Sequence, residues 1–183
     1  MNDALRHCAQ CIDASDLELV RFMWCDTHGQ TRGKTLTRKA ALRALTQGVG
    51  MVSTLMLKDT SDRTAYKVFE PGMADALPGF AFANNLLLKP LSERFHILPW
   101  AHKTGWIQCQ PVFENGDIVT LDTRWQLQRA LAQLATHGLS MRCGLEIEFH
   151  IYRLNHASPR QDLDPARAAW PGMAPAVSLI HPG

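Results

Sequence analysis

The sequence predicts an α+β fold, on three observations. Runs of strand-forming residues recur, among them "LELVRFMWC" and "CGLEIEFHIY", and the second alternates apolar and polar residues. Polar turns, "DTHGQTRGK" and "ENGD", interrupt strand-like runs as hairpin tips do. A helical stretch, "RKAALRAL", falls among the first strands, so the sheet carries a helix across its face.

The chain has 183 residues, enough for one medium domain or two small ones. Apolar residues make up 46% and charged residues 20%, an ordinary globular composition. A formal charge of +2 is too balanced to argue for nucleic acid or an anionic membrane. No apolar run approaches the roughly 20 residues of a membrane-spanning helix. "MNDALRHCAQ" lacks the basic-then-apolar pattern of a secretory signal. With five cysteines, an odd count, the expectation is reduced thiols in the cytoplasm.

The elements follow in order. Residues 3–13 read as a short helix with Asp3 as cap. Leu5, Cys8 and Ile12 share one face of it, which makes Cys8 a small core residue. That reading outweighs a redox or zinc role for Cys8-Ala-Gln-Cys11, since no second C-x-x-C or spaced histidine pair completes a tetrahedral site. "LELVRFMWC" from Leu17 to Cys25 is apolar on both faces, as in a central strand. Asp26 and Gly29 turn the chain, and a return strand runs to about Leu36. Arg32 and Lys34 near this tip read as solvated charges or subunit contacts. Thr37 caps the next helix, which Gly48 stops. "GMVSTLML" reads as a third strand, and "AFANNLLLKPL" and "ERFHILPW" as two more.

The first unit is thus placed at 15–105 and a second at 106–183. The second opens near Gly105 with the strand "TGWIQCQPVF" and the turn "ENGD". A helix follows, with Thr123 and Gln126 as a capping box and Leu127, Leu131 and Leu134 on one face; Gly138 ends it. One helix, one hairpin and one strand bury each other too poorly to be a domain. The unit either packs on the first or is incomplete. Residues after 154 read as loop, rich in Pro and Gly.

In "CGLEIEFHIY" a strand would put Cys143, Leu145, Ile147, Phe149 and Ile151 on one side. Gly144, Glu146, Glu148, His150 and Tyr152 would share the other. Two like charges on neighbouring same-face positions repel, and folding does not ask for them. Hard cations such as Mg²⁺ prefer carboxylate oxygens, and two carboxylates two residues apart can each serve a different cation. Paired cations can clamp a phosphate group. On spacing alone a solvated acidic face is the favoured reading.

"GLEIEF" resembles the Gly-x-Glu-x-Glu-Phe strand of the glutamine synthetase family. "GDIVTLDTRWQLQRALAQLATHGL" is similar to the segment that precedes it in that family. "RFHILPW" resembles the Leu-Pro-Trp strand that ends the family's N-terminal β-grasp domain, and "DTHGQTRGK" its first hairpin. Four motifs in the family's order along the chain cover about residues 17–153. The closest variants are the synthetase-like ligases that join glutamate to amines other than ammonia.

The resemblance implies a β-grasp-like N-terminal domain followed by the first strands and helix of an incomplete catalytic domain. It implies an ATP-dependent ligase that joins glutamate to ammonia or an amine through a γ-glutamyl phosphate, with two divalent cations, Mg²⁺ or Mn²⁺. By this likeness Glu146 and Glu148 each serve one metal site. It also implies a homo-oligomer with active sites between subunits, one subunit lending an acidic loop to the next. "LKDTSDRTAY" lies where that loop belongs; Asp59 and Ser61 match in type, and Thr60 replaces the usual Gly. A polar loop with capping roles for Asp59 and Ser61 is a reading of at least equal weight, and Asp62 is the alternative acid. Two departures stand out. His150 takes the place of an aromatic or apolar residue, as an extra ligand, a hydrogen-bonding neighbour or an exposed side chain, the last two being favoured. Lys89 and Leu91 flank Pro90, where an acidic residue is usual.

The family's remaining metal ligands, its ATP-binding residues and its substrate arginines have no counterpart in this chain. It is expected to bind divalent cations weakly and not to turn over ATP. Two other readings stand beside the ligase: a β-grasp module that assembles with full-length relatives, and a small thiol or zinc protein centred on Cys8 and Cys11.

Overall fold

The alternation of Val20, Phe22 and Trp24 with Arg21, Met23 and Cys25 makes Leu19–Cys25 a strand with one fully buried side, β1. The computed structural model describes residues 3–66, 68–70, 77, 79, 80, 84–154 and 177–181. The chain divides into two compact units, Met1–Leu139 and Ser140–Gly183.

β1 turns at Asp26 and Gly29, whose φ of 75° suits a residue without Cβ, and pairs antiparallel with β2, Thr31–Thr37. Helix α1 (Asp3–Ala14) precedes this hairpin and α2 (Arg38–Gln47) follows it. Asp3 begins α1 as its first residue and pairs with Arg6. Thr37 is the N-cap residue of α2, but its hydroxyl makes no capping bond; at the other end Gly48, φ 79°, returns its N–H to Ala44 O. Here the sequence located the boundary and misjudged the chemistry at one end.

β3 is shorter than expected. It covers Val49–Val52, and Ser53–Leu57 wind into a 3₁₀ turn that buries Met56 and Leu57. The apolar run "MVSTLML" cannot by itself distinguish a strand from a tight turn, since both bury it. The two strands expected around Pro90 are one, β4 (Asn85–Ile97), with a register shift between Pro90 and Phe95. Pro90 lies past Leu88, the last residue with a β3 partner, so its missing N–H falls where β4 is paired on one side only. Residues 81–83, part of the strand expected there, lie outside the described residues.

β5 (Thr104–Phe113) is the centre of the sheet, whose order is β2-β1-β5-β4-β3. It runs parallel to β1 and antiparallel to β4. This strand and the helix after it, assigned from sequence to a unit starting at 106, lie within the compact unit that ends at Leu139. The architecture is α+β: a mixed five-stranded sheet with α1 and α2 against one face. The core joins Val20, Phe22 and Trp24 of β1 to Cys8 and Ile12 of α1, Ala41, Ala44 and Leu45 of α2, and Leu86, Leu88 and Ile107 of β4 and β5. Each such large side chain contributes roughly 1.5–3 kcal/mol on burial.

Helix α3 covers Thr123–Thr136. Its cap is Asp122, whose carboxylate accepts from Trp125 N at 3.0 Å; Thr123 is already helical, and Gln126 donates to Thr120 O instead of closing a capping box. Gly138, φ 69°, ends it as expected. No residue of α3 is buried.

The largest departure concerns residues 139–150, which form neither helix nor strand. Strand begins only at Ile151, where β6 (Ile151–Leu154) meets β7 (Val177–His181), antiparallel. β7 lies in the stretch read as loop. Alternation states which side chains would share a face; it supplies neither a backbone partner nor a cover. Leu145, Ile147 and Phe149 are 87%, 70% and 58% exposed, so none of the described residues covers this apolar side.

Candidate functional site

Among the described residues, the densest set of polar contacts near a predicted site residue joins the β1–β2 tip to the 58–64 loop. Asp26 begins it. The turn folds back on itself, with Asp26 N donating to Gln30 O and Gly29 N to Asp26 O. This draws the Asp26 carboxylate inward until it is 1% exposed. There Oδ1 accepts from His28 N and Gln30 N at 2.9 Å each, and Oδ2 from Arg32 Nε at 2.6 Å. Burial alone would raise this carboxyl; Arg32 and the two N–H groups outweigh it and hold the group below its ordinary value. Arg32 is raised in turn, chiefly by its bond to Asp26.

Arg32 is therefore not a solvated tip charge. Its second arm reaches Asp62 Oδ1 at 2.7 Å, so one guanidinium ties a buried carboxylate to an exposed loop. His28 adds a contact from Nε2 to Lys58 O at 2.7 Å, and Lys58 Nζ donates to Asp62 O at 3.0 Å. Lys34, the other charge near this tip, donates to Gly50 O.

The loop has its own organiser. Asp59 Oδ1 accepts from Ser61 N and Arg63 N, both at 2.9 Å. Those bonds, Arg63 first, hold the Asp59 carboxyl below its ordinary value. Lys58 bridges to Thr64 across the loop base, and Asp62 takes a φ of 58°, left-handed backbone that asparagine-like side chains tolerate. The loop is thus a tight acidic turn. One carboxylate shapes it and the other moors it to the hairpin.

Glu146 and Glu148 lie in the second unit, exposed, in the stretch without regular structure. His150 is exposed beside Tyr152, ring centroids 6.2 Å apart. Among the described residues no group of three or more His, Cys, Asp or Glu is placed to hold a metal ion. Two carboxylates offer too few oxygens for two octahedral Mg²⁺ shells. The residues present therefore do not fit a two-cation centre by themselves.

Two concavities of the first unit have other linings. One of about 560 Å³ is bounded by Asn84, Phe113, Glu114, Asn115 and Asp117. The other, about 440 Å³, involves Arg21, Met23, His96, Trp100 and Trp106, which include the outward-facing residues of β1. Sequence reasoning missed the Asp26–Arg32–Asp62 link. The usable signal was Asp26 itself, a carboxylate directly after an apolar strand with an arginine six residues on. No described helix is long and apolar enough to cross a membrane.

No family model matches the chain. It is 26% identical over 174 residues to a γ-glutamylanilide synthase of Acinetobacter sp, covering 93% of this chain and 34% of that protein. Human lengsin is 24% identical over 156 residues, 83% of this chain and 28% of its own length. The γ-glutamylethanolamide synthetase GlnA4 of Streptomyces coelicolor is 28% identical over 147 residues, 78% of this chain and 30% of that protein. The chain therefore spans between about a quarter and a third of the length of the curated relatives it matches. In fold it is similar to a solved GmaS/ADP complex, with a TM-score of 0.51 and 20% identity over 75% of this chain and 26% of the other. Four sequence motifs in order, curated likenesses along most of the chain and a shared fold together mark this protein as glutamine synthetase-like.

Proposed function

We propose that the chain is a portion of an ATP-dependent ligase that joins glutamate to ammonia or an amine through a γ-glutamyl phosphate. The observation that carries this is the likeness to a γ-glutamylanilide synthase along 93% of the chain. In this reading the five-stranded sheet with its central parallel pair is a β-grasp-like domain. The 58–64 loop offers Asp59, or Asp62, to a neighbouring subunit of a homo-oligomer. Glu146 and Glu148 supply part of a Mg²⁺ or Mn²⁺ centre whose other ligands lie outside these 183 residues. No catalytic step is assigned to this chain alone, because two glutamates do not complete the shells.

The test has two arms. Purified chain, given ATP, glutamate, an amine and Mn²⁺, should release ADP no faster than buffer, and Mn²⁺ titration should give weak binding that weakens further in Glu146→Gln/Glu148→Gln. A chimaera carrying residues 1–154 in place of the matching stretch of the γ-glutamylanilide synthase should keep ATP-dependent γ-glutamyl transfer and lose it with the same two substitutions. A folded chimaera indifferent to those glutamates removes the metal assignment. Robust turnover by the chain alone removes the reading of it as a portion.

A second reading is favoured by α3, which buries no residue, and by the exposed apolar side chains of 139–151. In it the chain is a non-catalytic module that assembles with full-length relatives. Light scattering of the chain mixed with such a relative should then show a complex, and the ATPase arm should stay silent.

A further inference from the structure

Helix α1 carries a chemistry that the ligase reading leaves unused. Cys8 and Cys11 stand one turn apart, and both are free thiols. With a rise of about 1.5 Å per residue and a Cα radius of about 2.3 Å, positions i and i+3 of a helix are about 5 Å apart. That falls inside the roughly 4.4–6.8 Å that a disulfide spans.

The two thiols are not equivalent. Cys8 is 2% exposed and packs in the core with Ile12. Burial, with the neighbouring Cys11 adding to it, pushes the Cys8 thiol up to about 11. Cys11 is half-buried, and the exposed His7 sets Nε2 3.6 Å from its sulfur. Water and small solutes reach Cys11 and not Cys8, and a base stands beside the thiol they reach. The remaining three cysteines lack this arrangement: Cys25 is half-buried at the end of β1, Cys109 is buried, its thiol pushed up to about 12, and Cys143 lies exposed in the second unit.

We propose that Cys8 and Cys11 form a peroxide-oxidisable dithiol site, in which Cys11 meets the oxidant, His7 holds its proton and Cys8 closes the disulfide. The Cys11 thiolate attacks a peroxide oxygen. An S–O bond forms as the O–O bond breaks, and the departing hydroxide takes the proton from His7 and leaves as water. The Cys8 sulfur then attacks the Cys11 sulfur. The S–S bond forms, the S–O bond breaks, and the second hydroxide leaves as water with the Cys8 proton. Two thiols and one hydrogen peroxide become one disulfide and two waters; the sulfur pair is oxidised by two electrons and the peroxide reduced. Closing the bridge requires the Cys8 sulfur to swing from the core toward Cys11, which loosens the seat of α1 on the sheet.

The test is mass spectrometry of the full chain exposed to hydrogen peroxide. Trypsin releases residues 7–21, which hold both cysteines. That peptide should lose the mass of two hydrogens, and at lower peroxide than oxidises Cys143. Cys8→Ala, which keeps the site apolar, should stop at a Cys11 sulfenic acid trapped by dimedone. Cys11→Ala, away from the core, should leave Cys8 unoxidised, so the proposal stays testable if Cys8→Ala fails to fold. His7→Asn should slow the loss of the Cys11 thiol several-fold and alter its dependence on pH, a change that loss of a helix contact alone would not produce. Cys11 oxidation no faster than that of Cys143, a peptide 7–21 that retains both thiols, or a His7→Asn rate equal to wild type would each overturn the proposal.

Discussion

At the scale of single residues, Asp26 decides more than its place in a turn indicates. A buried carboxylate is tolerated because three donors meet it: Arg32 and the N–H groups of His28 and Gln30. Its folded value lies below the roughly 3.9 of an unfolded aspartate. The stabilisation it gives is therefore complete above that unfolded value and drains away as pH falls through the lower folded one. Asp26→Asn should cost about 2 kcal/mol in urea unfolding at neutral pH. It should also flatten the acid limb of stability below about pH 4. An unchanged acid limb would dissociate Asp26 from it. Asp59 acts locally. Asp59→Ala should remove amide-exchange protection at Ser61 and Arg63 and leave the sheet's protection intact. Sequence alone marks Asp26 as a turn residue and Asp59 as an acidic-loop or capping residue, and reads Arg32 as a solvated charge or a subunit contact. The partner that corrects this, Asp62, is 30 residues from Arg32, and no local pattern encodes such a meeting.

At the scale of elements, the legible features were those with a local cause. Gly48 and Gly138 stop their helices in left-handed backbone, and each was readable because few other residues adopt it cheaply. The cap of α3 was misread by one residue. Asp122 and Thr123 both carry capping oxygens, and the choice rests on where the helix meets the preceding turn, with Asp122 buried and bonded to Trp125 N. Asp122→Ala should cost about 1 kcal/mol, and Thr123→Ala much less. Burial raises the Asp122 carboxyl against the pull of the Trp125 and Arg124 N–H groups, so Asp122→Asn, neutral and still an acceptor, should retain most of the cap. In β2, Gly33 is required by close approach: a Cβ there would run into the Phe22 carbonyl oxygen and the Met23 side chain. Gly33→Ala should destabilise by about 1–3 kcal/mol, read in the same unfolding assay.

At the scale of the molecule, the first unit holds one core, and a run of apolar residues after α3 is exposed. These are Leu139, the last residue of the first unit, and Met141, Leu145, Ile147, Phe149 and Ile151 of the second. Exposed apolar side chains gathered in this way favour association. The isolated chain should therefore associate with rising concentration in sedimentation velocity. Replacing Leu145, Ile147 and Phe149 by Ser should suppress that without lowering the melting temperature of the first unit. A chelator should leave the same melting curve unmoved, since no described cluster of ligands ties a metal to the fold.

The three helices, the hairpin at Asp26 and Gly29 and the burial of Cys8 were present in the sequence by itself, because each depends on residue type at short spacing. So was the likeness to glutamine synthetases, carried by motifs spread along the chain. Only the tertiary structure decided that β5 runs between β1 and β4, that Arg32 spans two carboxylates, and that the run around Glu146 and Glu148 forms no strand. Periodicity records what a segment would bury if something lay against it. Whether anything does, and which distant group supplies the missing hydrogen bond, depends on how the whole chain packs.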